Sequence, residues 1–182
     1  RGIEPRKLGV RTLAVAGEPG GGEDATRHAS EDAFGATVRE AMGIADVSPS
    51  LWGECEEQDG MHFCGDPYIH VELIDAETDA PLPFDDRAEG ELVYTSLIRE
   101  AMPVLRFRSR DRVVVNAKPC SCGREGIRVR FIGRTDDLLI VRGVNLFPTA
   151  LREVVAEFRP QVGGPVLIRP AHTGVRQDAA PR

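Results

Sequence analysis

Apolar and polar residues alternate most clearly in two stretches of the chain. Tyr68-Ile69-His70-Val71-Glu72-Leu73-Ile74-Asp75 and Glu91-Leu92-Val93-Tyr94-Thr95-Ser96 send successive side chains to opposite faces, as half-buried strands do, and a Pro- and Asp-rich stretch from Ala80 to Gly90 supplies the turn between them. With Val113-Val114-Val115 as a further short strand, they predict a β-rich subdomain. Other apolar runs are continuous. Val10 to Ala16 reads as a buried strand that needs neighbours on both sides, and Leu138 to Val141 as a strand covered on both faces. Leu151, Val154, Val155 and Phe158 recur at helical spacing, so Pro148 to Phe158 is predicted to be an amphipathic helix with its proline in the first turn. An alanine-rich segment from Ala25 to Phe34 suits a helix ended by Gly35, and Val166-Leu167-Ile168 reads as the start of a strand. Thr37 to Met42 has too few apolar positions to fix a period. The mixture is that of an α/β protein.

Composition narrows the class. The 182 residues, 41% hydrophobic and 29% charged, can bury one core with room for a small second domain. A net charge of -6 and a pI near 5.3 argue against a nucleic-acid surface, which needs clustered Lys and Arg to neutralise phosphates. No apolar stretch reaches the roughly 20 residues that span a bilayer, so no membrane contact and a cytoplasmic location are expected. The chain opens on Arg1 rather than Met, which predicts a fragment.

The cysteines carry the sharpest chemistry. Cys120-Ser-Cys122 is spaced too tightly for a comfortable disulfide, which leaves metal binding or free thiols. Cys55 and His62 flank a polar turn, and with Cys120 and Cys122 they would complete a tetrahedral zinc shell of the structural kind. Cys64, two residues beyond His62, is an alternative to Cys55; four reduced cysteines beside a surface histidine is the other reading. Trp52 is expected in a core or interface.

Four motifs together carry a family resemblance. The run Gly133-Arg134-Thr135-Asp136-Asp137-Leu138-Leu139-Ile140-Val141-Arg142-Gly143-Val144-Asn145-Leu146-Phe147-Pro148 joins a charged turn to a strand, a glycine loop and a helix start, although taken alone it also fits an ordinary turn. Gly17-Glu18-Pro19 follows a strand, and Phe107-Arg108-Ser109-Arg110-Asp111 precedes one. Met42-Gly43-Ile44-Ala45-Asp46 is the least faithful of the four. With them the chain resembles the adenylate-forming acyl-CoA ligases, specifically the phenylacetate-CoA ligase family, over its C-terminal portion. Some members of that family carry the same Cys and His arrangement.

The resemblance implies the end of a large AMP-binding domain with a β-rich subdomain over residues 1–135, then a hinge and an incomplete small α/β domain over 136–182. It favours a strand at Thr37 to Met42. Asp136 would be the hinge about which the small domain turns. Gly17, Glu18 and Pro19 would lie against adenine, Met42 and Gly43 beside the base, and Asp111 on the ribose hydroxyls. Arg134 would approach the nucleotide on closure, Gly143 and Asn145 would join the cofactor-binding set, and Asp46 would contact magnesium. Arg110 stands where the family has glycine, and Met42, Ala45 and Asp46 replace its aromatic, threonine and glutamate. The implied reaction turns an aromatic or other small carboxylic acid and ATP into acyl-AMP, which coenzyme A then attacks. The family's phosphate loop and late lysine have no counterpart in this sequence, so the isolated chain is expected to be inactive. The alternative is a zinc-stabilised, noncatalytic nucleotide-binding or interaction module.

Overall fold

The computed structural model describes residues 3–17, 22–142, 144–158, 161–164, 166–169 and 176–177. Strand β1 (Thr12–Val15), helix α1 (Asp24–Phe34) and strand β2 (Thr37–Ile44) form a parallel crossover unit. Gly35 ends the helix at φ 64, its N–H donating to the Glu31 carbonyl over 2.8 Å, because a left-handed residue closes a helix end most cheaply as glycine. Local pattern leaves Thr37 to Met42 undecided, and pairing on both edges makes it a strand: β1 lies on one side and β3 (Ser48–Glu54) on the other.

From β3 the chain builds an antiparallel layer of β4 (Met61–Phe63), β5 (Ile69–Ile74), β6 (Pro81–Leu82), β7 (Glu89–Ser96), β8 (Phe107–Asn116) and β9 (Arg128–Arg134). The nine strands run in the order β1-β2-β3-β4-β9-β8-β7-β5-β6. Its core holds Leu51, Trp52, Met61, Leu92, Tyr94 and Val113, all at most 1% exposed. Burial obliges the polar tips in this core to find partners, and the Trp52 indole N–H donates to the Tyr94 hydroxyl over 2.8 Å.

A second sheet centres on β10 (Leu139–Val141), with β11 (Val144–Leu146) antiparallel and β12 (Arg176–Gln177) parallel to it. Helix α2 (Pro148–Ala156) follows β11, opening on its proline. A short helical turn, Thr135–Asp137, joins β9 of the large sheet to β10 of the small one. No helix among the described residues is long and apolar enough to cross a membrane.

Three expectations need correction. β1 pairs only with β2 among the described residues and is half exposed, since it lies at the sheet's edge. Leu139 to Val141 is partly exposed rather than covered on both faces, because its sheet has only three strands among the described residues. Val166, Leu167 and Ile168 form no strand and pair with no strand among the described residues.

Candidate functional site: a cavity at the strand ends and a cysteine–histidine cluster

A cavity of about 230 Å³ opens where β1, β2, β8 and β9 meet, and its wall includes Gly17, Met42, Gly43, Asp111 and Arg134. Gly17 leaves β1 at φ 88, a conformation that a side chain would strain. Gly43 lies at a shift in the β2–β3 register, where any Cβ would run into the Pro49 carbonyl. Asp111 and Arg134 are paired across β8 and β9, with the guanidinium Nη1 3.3 Å from the Asp111 carboxylate. Asp111 is 7% exposed, and this burial raises its carboxyl above the usual aspartate value even though Arg134 pulls it down. Such a carboxylate can accept from paired hydroxyls, and the glycines let a flat ring approach the backbone.

Arg134 also grips Asp136 with both arms of its fork, at 2.9 and 2.8 Å. These hydrogen bonds hold the Asp136 carboxyl below its ordinary value. Asp136 thus sits one residue contact away from the cavity, inside the turn that joins the two sheets. Arg110 adopts φ 66, a left-handed backbone that glycine tolerates and arginine does not favour.

One sequence candidate lies elsewhere. Asp46 is exposed with its neighbour Ala45 in the turn between β2 and β3, outside the described cavity wall, and its carbonyl accepts from the Arg99 guanidinium. Glu18, Pro19 and Gly143 fall outside the described residues, as does the side chain of Asn145. Conversely, Glu40 lines the cavity and went unnoticed. Burial, reinforced by the charge of Glu54, raises its carboxyl. The available signal was its position two residues before Met42, which on a strand puts both on one face.

The second cluster joins Cys55, at the end of β3, with His62 of β4 and the Cys120–Cys122 loop that precedes β9. All four ligand atoms lie within 4.8 Å of one another. The Cys55 and Cys120 sulfurs are 3.7 Å apart, and the Cys122 sulfur is 3.5 Å from His62 Nε2. A tetrahedral zinc with Zn–S bonds of about 2.3 Å and Zn–N bonds of about 2.0 Å would set its sulfurs about 3.8 Å apart and a sulfur and nitrogen about 3.5 Å apart. The donor set therefore fits that ion in type and spacing.

Local electrostatics agree with the fit. The Cys122 amide N–H bonds to the Cys120 sulfur and lowers its thiol, favouring the thiolate that a metal needs. Burial lowers the His62 value, which favours the neutral imidazole, and raises Cys55 to about 11. Buried His62 Nδ1 has no hydrogen-bond partner. Cys64 is exposed, its sulfur donating to the His62 carbonyl over 3.4 Å, and it does not join the cluster.

No family model matches the chain. The phenylacetate-coenzyme A ligase of Thermus thermophilus is 35% identical over 158 residues, which cover 85% of this chain and 34% of that protein. The Pseudomonas putida phenylacetate-coenzyme A ligase is 36% identical over 164 residues, 87% of this chain and 35% of its own length. Among solved structures, 2-hydroxyisobutyryl-CoA ligase is 29% identical across 86% of this chain and 33% of its own. It superposes with a TM-score of 0.78 in its postadenylation state and 0.67 in its thioesterification state. The chain spans about a third of the length of the curated relatives it matches. Sequence and fold agree across that third, over which the chain is similar to the phenylacetate-CoA ligases.

Proposed function

We propose that the chain forms the adenosine-binding, hinge-bearing part of a cytoplasmic, AMP-forming carboxylate–CoA ligase. The observation that carries this reading is the convergence of Gly17, Met42, Gly43, Asp111 and Arg134 on one cavity. ATP supplies the phosphoanhydride against which a small carboxylic acid, aromatic or otherwise, is activated as acyl-AMP before coenzyme A attacks. Asp111 takes the ribose hydroxyls, Arg134 turns its planar fork toward the nucleotide, and Met42 leans its thioether on the base. Glu18, Pro19, Gly143 and Asn145 complete the cofactor-binding set. Magnesium enters no step here, because Asp46, the carboxylate assigned to it, stands outside the described cavity wall.

Residues 1–135 belong in this reading to the large domain and 136–182 to the small one, with Asp136 as pivot. The change from large to small sheet across Thr135–Asp137 supports that boundary. So does the fall in TM-score from 0.78 to 0.67 between two states of one ligase at equal coverage, since the part matched here must then change shape between them. Zinc on Cys55, His62, Cys120 and Cys122 would clamp β3 and β4 to the loop before β9, a structural role.

The test is acid-dependent exchange of pyrophosphate into ATP. A complete ligase containing this segment should catalyse it, Asp111→Ala should raise the KM for ATP, and the isolated chain should show none. An Asp111→Ala ligase with unchanged ATP dependence would overturn the assignment, and metal binding without nucleotide affinity would favour a noncatalytic module.

A further inference from the structure

Glu91 is fully buried in β7, an expensive place for a carboxylate unless every lone pair is engaged. Arg108 of β8 binds it with two parallel hydrogen bonds, both 2.8 Å, and the other face of the same guanidinium reaches Asp79 at 2.6 Å. Gripped at both ends, Arg108 leaves the Glu91 carboxylate no freedom to swing. A well-packed apolar pair would serve stability at least as well as such an ion pair, so its geometry asks for another role. Each oxygen keeps one further acceptor position, and the Thr135 hydroxyl fills the one on Oε2 at 3.2 Å.

Thr135 is the first residue of the turn between the two sheets and the immediate neighbour of Asp136. Arg134, one residue earlier, is held differently: its guanidinium meets the Asp111 carboxylate at 3.3 Å and the Ser109 carbonyl at 3.4 Å, both on β8. Residues 134 and 135 are therefore tied to separate strands of the large sheet, whereas the Asp136 side chain is held by Arg134 itself. We infer that Glu91 and Arg108 are positioning residues for the hinge: their ion pair fixes Thr135 to the large sheet, so that backbone rotation begins at residue 136. The inference rests on the hinge reading for its purpose and on the Thr135 contact for its substance.

Glu91→Gln would leave Arg108 half paired in the interior and endanger the fold, so the test falls on Thr135. Thr135→Val keeps the shape and removes the hydroxyl; Thr135→Ser keeps the hydroxyl. Amide hydrogen exchange on this chain should quicken across residues 133–138 in Thr135→Val by on the order of five-fold, the loss of about one net hydrogen bond, with the rest of the large sheet unchanged. Thr135→Ser should exchange as the wild type does. Equal exchange in wild type and Thr135→Val, or equal quickening in both variants, would overturn the anchor whatever the hinge does. In a complete ligase, Thr135→Val should change the ratio of thioester formation to adenylate formation, and Thr135→Ser should restore it. An altered exchange with an unaltered ratio would keep the anchor and refute the hinge reading beneath it.

Discussion

The ring of Phe147 fills the space that a side chain at Gly133 would occupy. A Cβ at Gly133 would stand 2.5 Å from the ring, and the Arg112 guanidinium lies 5.6 Å from the ring centroid on its other approach. The Arg112 Nε is buried without a hydrogen-bond partner, and the guanidinium has the aromatic ring on one hand and the Glu89 carboxylate at 3.9 Å on the other. Gly133 belongs to β9 and Phe147 is the N-cap of α2, which makes this contact a clasp between the two parts of the chain.

Gly133→Ala should open that clasp. The added methyl must push the ring aside, and φ 149 disfavours any side chain there, so a cost of about 1–3 kcal/mol is expected. Amide exchange through β10, β11 and α2 should rise, and Phe147→Ala should give the same pattern without the backbone strain. Unchanged exchange in both variants would show that the clasp holds nothing.

Zinc content tests the second site. Purified under reducing, chelator-free conditions, the chain should hold about one zinc and lose thermal stability on chelation, because metal bound only by the folded site adds directly to folding free energy. A Cys120→Ser, Cys122→Ser variant should lose the metal. Retention of zinc by that variant would refute the ligand set, and a stoichiometry near zero in the wild type would remove the site.

Helix α1 is held to the sheet by charge. Its buried residue is Arg27, which pairs with Glu54 at 2.8 and 3.0 Å and donates to the Val38 carbonyl at 3.1 Å. Both partners are under 10% exposed, so Arg27→Met should cost about 3–5 kcal/mol by stranding the Glu54 charge. Adding Glu54→Gln should recover most of it, since the amide oxygen can still accept from the Glu40 N–H. Chemical denaturation of the single and double variants measures the difference, and equal losses would mean that the pair contributes little.

These contacts explain which parts of the fold were legible in the sequence. β5 begins in alternation, with Ile69 buried and His70 exposed, whereas β7 is buried on both faces from Gly90 to Tyr94, and α1 and α2 carry their own punctuation in Gly35 and Pro148. β3 escaped notice because Pro49 and Gly53 interrupt its pattern; its pairing with β2 and β4 makes it a strand. β9 hides a buried arginine, Arg128, at 2% exposure: Asp59 neutralises its charge and the Lys118 carbonyl accepts from Nη2, while its Nε has no hydrogen-bond partner. The cysteine cluster was visible as a spacing, and the cavity residues as a resemblance. Glu40 shows in the sequence only through its spacing to Met42, which places it on the cavity face once Thr37–Ile44 is known to be a strand, and the local pattern does not fix that strand.

Glu40 supplies a pH test. A carboxyl raised in the folded state binds its proton more tightly there than in the unfolded chain, so its effect on stability worsens as pH rises from the ordinary glutamate value through the folded one. Glu40→Gln should therefore stabilise the chain at pH 7, and the gain should shrink as pH falls toward 4. Unfolding midpoints across that range check it; a gain independent of pH would point to packing rather than charge.

Arg110 gives the last prediction. It is exposed and sits at φ 66 inside β8, where the β7–β8 register shifts, so its side chain contributes little burial while its backbone bears the strain. A left-handed L-residue costs about 1–2 kcal/mol, and glycine would relieve this while adding about 0.4–1 kcal/mol of unfolded-state entropy. The difference predicts that Arg110→Gly stabilises the chain by about 0.5–1 kcal/mol. Arg110 also lends positive charge to Glu91 and Asp136, both of which its presence helps to ionise, so part of the gain should be lost at low salt. Denaturation of the variant at low and high ionic strength separates the two effects. A loss of stability at high salt would mean that this irregularity in β8 is held by contacts of the arginine side chain, and that its left-handed backbone is not the dominant cost.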